Sequence, residues 1–251
     1  MQNRYSSRPT RILRSCRLFL HVFYGLFIAW LILPRVGKNQ ENLIISRWCR
    51  GLLSVLNIGI VTHGNMPDKK LGNAMFVANH ISWLDIFALN SLRTMRFVAK
   101  SDIRDWPVVG WLCEKSHTLF TERNRKQDAG RIVEITADSL RAGDCVCVFP
   151  EGTTSDGREL LPFKGSLIQA AIDARSQLWP VAIRYPDGDG GINREMAYYG
   201  DMSLTQSLRQ ILAQHSPIIE LHFLPPIRTR GEERRSLSRS ARQAICDRLD
   251  F

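Results

Sequence analysis

With 251 residues, 44% of them hydrophobic, the chain has the material for one α/β domain with an appendage or for two small domains, and its composition speaks against global disorder. A net charge of +10, with Arg supplying 27 of the 34 basic residues, favours an anionic partner: a membrane surface, a nucleic acid or a phosphate-bearing substrate. The six cysteines, at 16, 49, 113, 145, 147 and 246, form no C-x-x-C pair, which speaks against a zinc site or a disulfide framework and fits a reducing compartment.

Arginines at 4, 8, 11, 14 and 17 precede the apolar run 18–33, which Pro34 stops. Its 16 positions fall short of the ~20 that a straight helix needs to cross a bilayer. No small-x-small cleavage site follows. The run reads as a membrane-embedded or interfacial helix whose Arg side chains reach lipid phosphates, with a single span as the alternative. In 43–56, Leu43, Ile44, Trp48, Leu52 and Val55 gather near one face. That pattern predicts a partner helix lying on the membrane, or a helical hairpin packed on the core.

From residue 57 short β-rich runs alternate with helical stretches, which predicts an α/β fold: a mixed, largely parallel sheet flanked by helices. Strands are expected at 58–62, 74–78, 96–99, 118–120, 145–149, 178–183 and 218–223. Cys145 and Cys147 alternate within one of them and read as buried strand residues. Helices are expected at 83–92, 107–113, 127–142, 164–175 and 232–249. In the helix at 127–142, Ile132, Ile135, Ser139 and Leu140 are expected to face inward and Gly143 to end it. Residues 186–193 read as a loop or hairpin excursion. The tail after Pro226 holds seven arginines and reads as a solvated helix; no RNA- or DNA-binding pattern accompanies it, so no nucleic-acid partner is expected. The chain thus divides into helices at 1–56, a catalytic domain at 57–227 and a basic helix or tail at 228–251.

Two motifs carry the chemistry. The run Ala74–Ala78 continues as Asn-His80-Ile-Ser-Trp-Leu-Asp85. Five positions on one helix separate two side chains by about 140°, so His80 must lie outside the helix that holds Asp85 for the two to meet. With His80 at the exit of the strand, the carboxylate can fold back onto the imidazole, at the sheet edge where α/β ligands bind. His80 then suits a general base that takes a proton from an alcohol, and Asp85 fixes its tautomer. His63 and Asp68 have the same spacing but span a Gly-Asn-Met-Pro turn and lack this frame. No Ser stands in a G-x-S-x-G elbow, which leaves direct attack by a substrate hydroxyl on an activated acyl group. The second motif, Phe149-Pro-Glu151-Gly152-Thr153-Thr-Ser155, turns sharply after a strand and leads through Lys164 into a helix. Its backbone N–H groups, its hydroxyls and Lys164 can cradle a phosphate. Glu151 repels phosphate and is expected to orient a cation or bind a substrate hydroxyl. Lys100 and Arg123 each follow a strand on the same edge and suit a phosphate, or salt bridges to Glu151 or Asp102.

His80-x4-Asp85, Lys100 with Arg123, the Phe149–Thr153 run and Leu-Trp-Pro180-Val-Ala-Ile183 together resemble the four ordered blocks of the glycerolipid acyltransferases, and most resemble the bacterial 1-acyl-glycerol-3-phosphate acyltransferases. The resemblance covers roughly 55–225. It implies acyl transfer from acyl-CoA or acyl-carrier protein to a lysophospholipid hydroxyl, with no metal and no bound cofactor. It implies His80 as base and Asp85 as its orienter, Arg123, Glu151 and Gly152 on the phosphorylated acceptor, and Pro180 shaping the acyl site. Lys100, Thr153 and Lys164 complete the expected substrate-binding set. It also implies an N-terminal helix pair on the cell inner membrane, with the active site on the cytoplasmic side. Residues 163–166 read Phe-Lys-Gly-Ser, where many relatives place a second basic residue after Lys, a departure that bears on acceptor preference. Another lysolipid such as lyso-ornithine lipid remains an alternative acceptor. A hydrolase using the same His-Asp pair and a non-enzymatic membrane scaffold are the competing classes.

Overall fold

Ser7 caps the first helix by accepting the Thr10 N–H, and Pro9 falls in the first turn, where a missing N–H costs nothing. The computed structural model, which describes residues 5–68, 70–121 and 126–251 (the side chains of 126–129 excepted), therefore starts helix α1 at Arg8, ten residues before the apolar run. α1 spans Arg8–Phe27 and continues through a π-helical turn, Ile28–Ile32, and a 3-10 turn, Leu33–Arg35. The 28 residues from Arg8 to Arg35 are long and apolar enough to cross a membrane, which corrects the shortfall read from the apolar run alone. The basic residues at 8, 11, 14 and 17 belong to the helix instead of flanking it.

Helix α2, Lys38–Val55, packs back on α1 through two reciprocal contacts. The Trp48 ring lies over Gly25, where a Cβ would come within 2.4 Å of Nε1, and the His21 ring lies over Gly51, where a Cβ would come within 2.7 Å. The two rings stack at 5.1 Å, and each makes a hydrogen bond to the other residue's backbone carbonyl. Only glycine at both positions lets the helices approach so closely. The inner end of α2 contributes Leu52 and Leu53 to the main core, and Leu56, which follows the helix, joins them.

Among the described residues, seven strands form one sheet in the order β1-β7-β6-β2-β5-β3-β4. They are β1 Gly59–Gly64, β2 Ala74–Ala78, β3 Arg96–Lys100, β4 Leu119–Thr121, β5 Cys145–Val148, β6 Gln177–Arg184 and β7 Ile218–Phe223. β6, β2, β5, β3 and β4 are mutually parallel; β7 runs antiparallel to β6 and parallel to β1. Every residue of β2 and β5 is buried, as a central parallel strand covered on both faces requires. One face is covered by α2, α3 (Leu84–Leu92) and α7 (Leu204–Ala213), and the other by α5 (Lys126–Arg141), α6 (Ile168–Asp173) and α8 (Arg234–Leu249). The short α4, Val109–Lys115, sets Trp111 and Leu112 against the cluster of Ile28, Leu33, Ile45 and Cys49 on the N-terminal pair.

Four details differ from the sequence reading. In α5 Ile132, Ser139 and Leu140 are buried, but Ile135 is 40% exposed; Thr136 and Ala137 take the inward positions. α6 is shorter than 164–175: residues 161–164 have no regular structure and 165–167 form a turn, so the helix begins only at Ile168. α7 was not anticipated. α8 is solvated on one side only: Leu237, Ala241 and Ile245 are buried.

Candidate active site

β2 ends at Ala78, and Asn79 continues its pairing with side-chain atoms. Its carboxamide accepts the Ile183 N–H at 2.7 Å and donates to the Ile183 carbonyl at 2.9 Å. The chain leaves the sheet at His80. The imidazole Nδ1 lies 2.8 Å from Asp85 Oδ2, with Asp85 in the first turn of α3. Asp85 is fully buried, and its carboxylate is satisfied throughout: Oδ2 also accepts the N–H groups of Ile81 (2.8 Å) and Ser82 (3.0 Å), and Oδ1 accepts the Tyr185 hydroxyl (2.5 Å). A buried carboxylate without such donors would cost several kcal/mol; with them it is a fixed negative charge on one ring nitrogen. That places the imidazole proton on Nδ1 and leaves the Nε2 lone pair, which has no hydrogen bond among the described residues. The Phe149 ring stacks on the imidazole at 3.9 Å and is itself backed by Phe97 at 5.9 Å. The ring is held on an edge and a face, and the side chain remains 17% exposed.

Glu151 is 4% exposed and faces inward. Its Oε1 accepts the His80 N–H at 2.7 Å and its Oε2 accepts the Leu161 N–H at 3.0 Å. Burial pushes its pKa up to about 7, against the two N–H bonds; Asp85 adds to the rise and Arg242 opposes it. Both oxygens are therefore engaged in fixing backbone, at the base of the turn that Gly152 makes with φ +73°. Ser155 is turned inward too, its N–H donating to the His80 carbonyl at 2.8 Å. His80 is thus gripped at its ring, its N–H and its carbonyl.

The other expected residues divide. Thr153 and Lys164 are exposed on the same turn and the segment that follows it, with the Lys164 N–H on the Pro150 carbonyl at 2.9 Å. Lys100 is half-buried at the carboxyl end of β3, the edge on which His80 and Glu151 emerge. Arg123 lies outside the described residues. Pro180 is buried in the body of the sheet, paired with Val77, and alternates onto the α8 side with Leu178 and Ala182, away from the Asp85 side. Among the described residues His63, Glu220 and His222 bring possible metal-ligand atoms within 4.8 Å of one another. They lie under α8 on that same far face, with His222 paired to Ala182.

The model of the family described as Acyltransferase matches residues 59–184, from β1 to the end of β6. The chain belongs to this acyltransferase family. It is 34% identical over 245 residues to a lyso-ornithine lipid O-acyltransferase of Pseudomonas aeruginosa, covering 95% of this chain and 93% of that one. It is 33% identical over 234 residues to a 1-acyl-sn-glycerol-3-phosphate acyltransferase of Neisseria meningitidis serogroup B, covering 89% and 87%. The crystal structure of the 1-acyl-sn-glycerophosphate (LPA) acyltransferase from Thermotoga maritima superposes with a TM-score of 0.66 at 21% identity, covering 94% of this chain and 96% of that one, which establishes the shared fold. The chain is thus an acyltransferase of the lysolipid-acylating family, whose members work at membranes. Tyr185 stands one residue beyond the family match and was not singled out from the sequence. Its role depends on β6 lying beside β2, an adjacency no local pattern reveals. Asn79 stands in the first motif, and its bonds to β6 depend on the same adjacency.

Proposed function

We propose that this acyltransferase moves a fatty acyl group from acyl-CoA or acyl-carrier protein to the free hydroxyl of lysophosphatidic acid, giving phosphatidic acid. The observation that carries the reading is the His80–Asp85 pair, with Nδ1 on the carboxylate and Nε2 without a hydrogen bond among the described residues. His80 Nε2 takes the hydroxyl proton as the oxygen attacks the thioester carbonyl carbon. The tetrahedral intermediate collapses with loss of the thiolate, and the imidazolium returns the proton to that sulfur. Ester and free thiol result, and no further reactant is needed. Asp85 stabilises the imidazolium while the charge exists, and such a base is worth about 10²–10⁴-fold in rate. Arg123, Lys100, Lys164, Thr153 and the backbone at Gly152 receive the phosphate, and Glu151 holds the His80 loop. Arg123→Ala is expected to raise the acceptor KM chiefly.

Lyso-ornithine lipid is the second acceptor reading, favoured by the Pseudomonas aeruginosa relative. Attachment is assigned to α1 and α2 on the cell inner membrane, cytoplasmic side. Phe19, Leu20, Phe23, Tyr24, Phe27 and Trp30 are 49–67% exposed along α1 and the π-helical turn that continues it, an apolar face that water would not leave uncovered. Complete burial of a large apolar side chain is worth about 1.5–3 kcal/mol, and these half-exposed ones gain roughly half of that on entering lipid.

The test offers both donors to purified full-length protein in mixed micelles, against lysophosphatidic acid, lyso-ornithine lipid and water. Transfer to lysophosphatidic acid supports the leading reading, and transfer confined to lyso-ornithine lipid replaces the acceptor. Hydrolysis alone, or no turnover, overturns the transferase reading.

A further inference from the structure

Helix α8 is linked to His80 through one peptide group and the Glu151 carboxylate. Arg242, in the second half of α8, donates from Nη2 to the Leu160 carbonyl at 2.6 Å and from Nε to the Leu161 carbonyl at 3.3 Å. The Leu160 carbonyl and the Leu161 N–H are the two ends of a single planar peptide unit. That N–H donates to Glu151 Oε2, and Glu151 Oε1 in turn accepts the His80 N–H. Guanidinium, peptide and carboxylate form an ion pair with an amide between its members. A cation on the oxygen end polarises the peptide and makes its N–H a better donor to the carboxylate, the cooperative strengthening expected in a buried chain of hydrogen bonds.

A second contact fixes the same segment. Gly165, next to Lys164, lies so close to α8 that a Cβ would come within 3.3 Å of Ser238 Cβ and 3.4 Å of the Arg234 carbonyl. Ser238 and Arg242 are one helical turn apart and share a face. The segment 160–165 is thereby held from the α8 side at two points, while Glu151 holds it from the other. Glu151 needs this help. A carboxylate buried as deeply as this one resists ionisation, Arg242 is the cation that favours its charged form, and a protonated carboxyl would have an oxygen turned from acceptor to donor.

We propose that Arg242 is a positioning residue for acyl transfer: through the Leu160–Leu161 peptide it keeps Glu151 seated on the His80 backbone, and so keeps the imidazole aimed at the reacting hydroxyl. The proposal rests on the reading of His80 as the base.

The test compares Arg242→Met, Arg242→Lys and, as a control, Arg239→Met, an exposed α8 arginine with no hydrogen bond or ion pair among the described residues. Amide hydrogen exchange at His80 and Leu161 is read together with kcat, acceptor KM and the pH–rate profile on whichever lysolipid the wild type acylates. For Arg242→Met the expected results are faster exchange at both amides, kcat lower by about tenfold, acceptor KM within about twofold, and an acid limb displaced to higher pH. Arg242→Lys, which keeps a cation on the carbonyls, should recover most of the loss, and Arg239→Met should change nothing. Unchanged exchange in Arg242→Met overturns the proposal. So does a loss of kcat that leaves the pH profile unmoved and is not restored by Lys, the pattern of general destabilisation. Should the wild type acylate no lysolipid, the transferase reading fails, and hydrogen exchange still decides whether Arg242 holds the Glu151 seat.

Discussion

His80 and His222 stand two strands apart in the sheet, each beside a carboxylate and each with a ring stacked on its face. At His80 the negative charge of Asp85 sits on Nδ1 at 2.8 Å, Phe149 covers the ring, and Nε2 has no hydrogen bond among the described residues. At His222 the order is reversed: Arg248 Nε donates to Nδ1 at 2.9 Å, the His63 ring stacks at 4.3 Å, and Nε2 is left facing Glu220 at 3.5 Å. Burial, then Arg248 and His63, push the His222 pKa down to about 4, against the pull of Glu220. It is a neutral packing group at any ordinary pH. The stacked rings also hold their nitrogen lone pairs in nearly parallel planes, a poor start for the tetrahedral metal site that three clustered ligands suggest. The comparison teaches that His beside an acid is not yet a base. Which nitrogen is engaged, and by which sign of charge, decides the chemistry.

Exchanging these features sharpens the contrast. Asp85→Asn should have the largest effect, a fall in kcat on the order of 10³-fold, because the amide can no longer hold the Nδ1–H tautomer or stabilise the imidazolium; steady-state kinetics on a lysolipid checks it. Phe23→Ser combined with Trp30→Ser should weaken binding to anionic vesicles by about 10²-fold in a flotation assay, with far-UV circular dichroism unchanged. Tyr185→Phe removes one donor from Asp85 and should lower kcat by about tenfold and unfolding free energy by about 1–2 kcal/mol in urea titrations. His222→Asn should leave kcat within about twofold, since its partners Arg248, His63 and Glu220 lie away from the active-site edge. Its signature is in pH. In the wild type the unfolded chain takes up a proton at His222 near 6.5 and the folded one only near 4, so this residue costs stability as pH falls between those values. Thermal unfolding across that window should fall less steeply in His222→Asn.

Much of this site was legible because its residues sit where local patterns change. The apolar run of β2 ends beside His80, and five-residue spacing to Asp85 is productive only across a strand–helix junction, which the structure has. The decoy pair behaves as its turn dictates: Asp68 accepts the Lys70 N–H at 2.7 Å, closing a local loop, and no Asp68–His63 bond forms among the described residues. Helix α7 carries local signals of its own in the sequence. Ser203 caps it by accepting the Gln206 N–H, and Leu204, Leu208, Ile211 and Leu212 have helical spacing. The beginning of α1 was hidden by charge, since arginines three residues apart resemble a flanking basic segment as much as a helix face. Tyr185, Arg242 and the N–H donors to Glu151 were not legible in principle. Each acts through a neighbour 10 to 100 residues away, and strand order or helix docking must be known before the contact exists.

Acyl transfer to lysophosphatidic acid by the wild type and by His80→Ala, measured side by side in mixed micelles, tests the central claim most directly. A fall of about 10²–10⁴-fold in kcat, with vesicle binding and thermal unfolding unchanged, is the predicted result. Turnover by His80→Ala within about tenfold of the wild type would contradict a general base at this position.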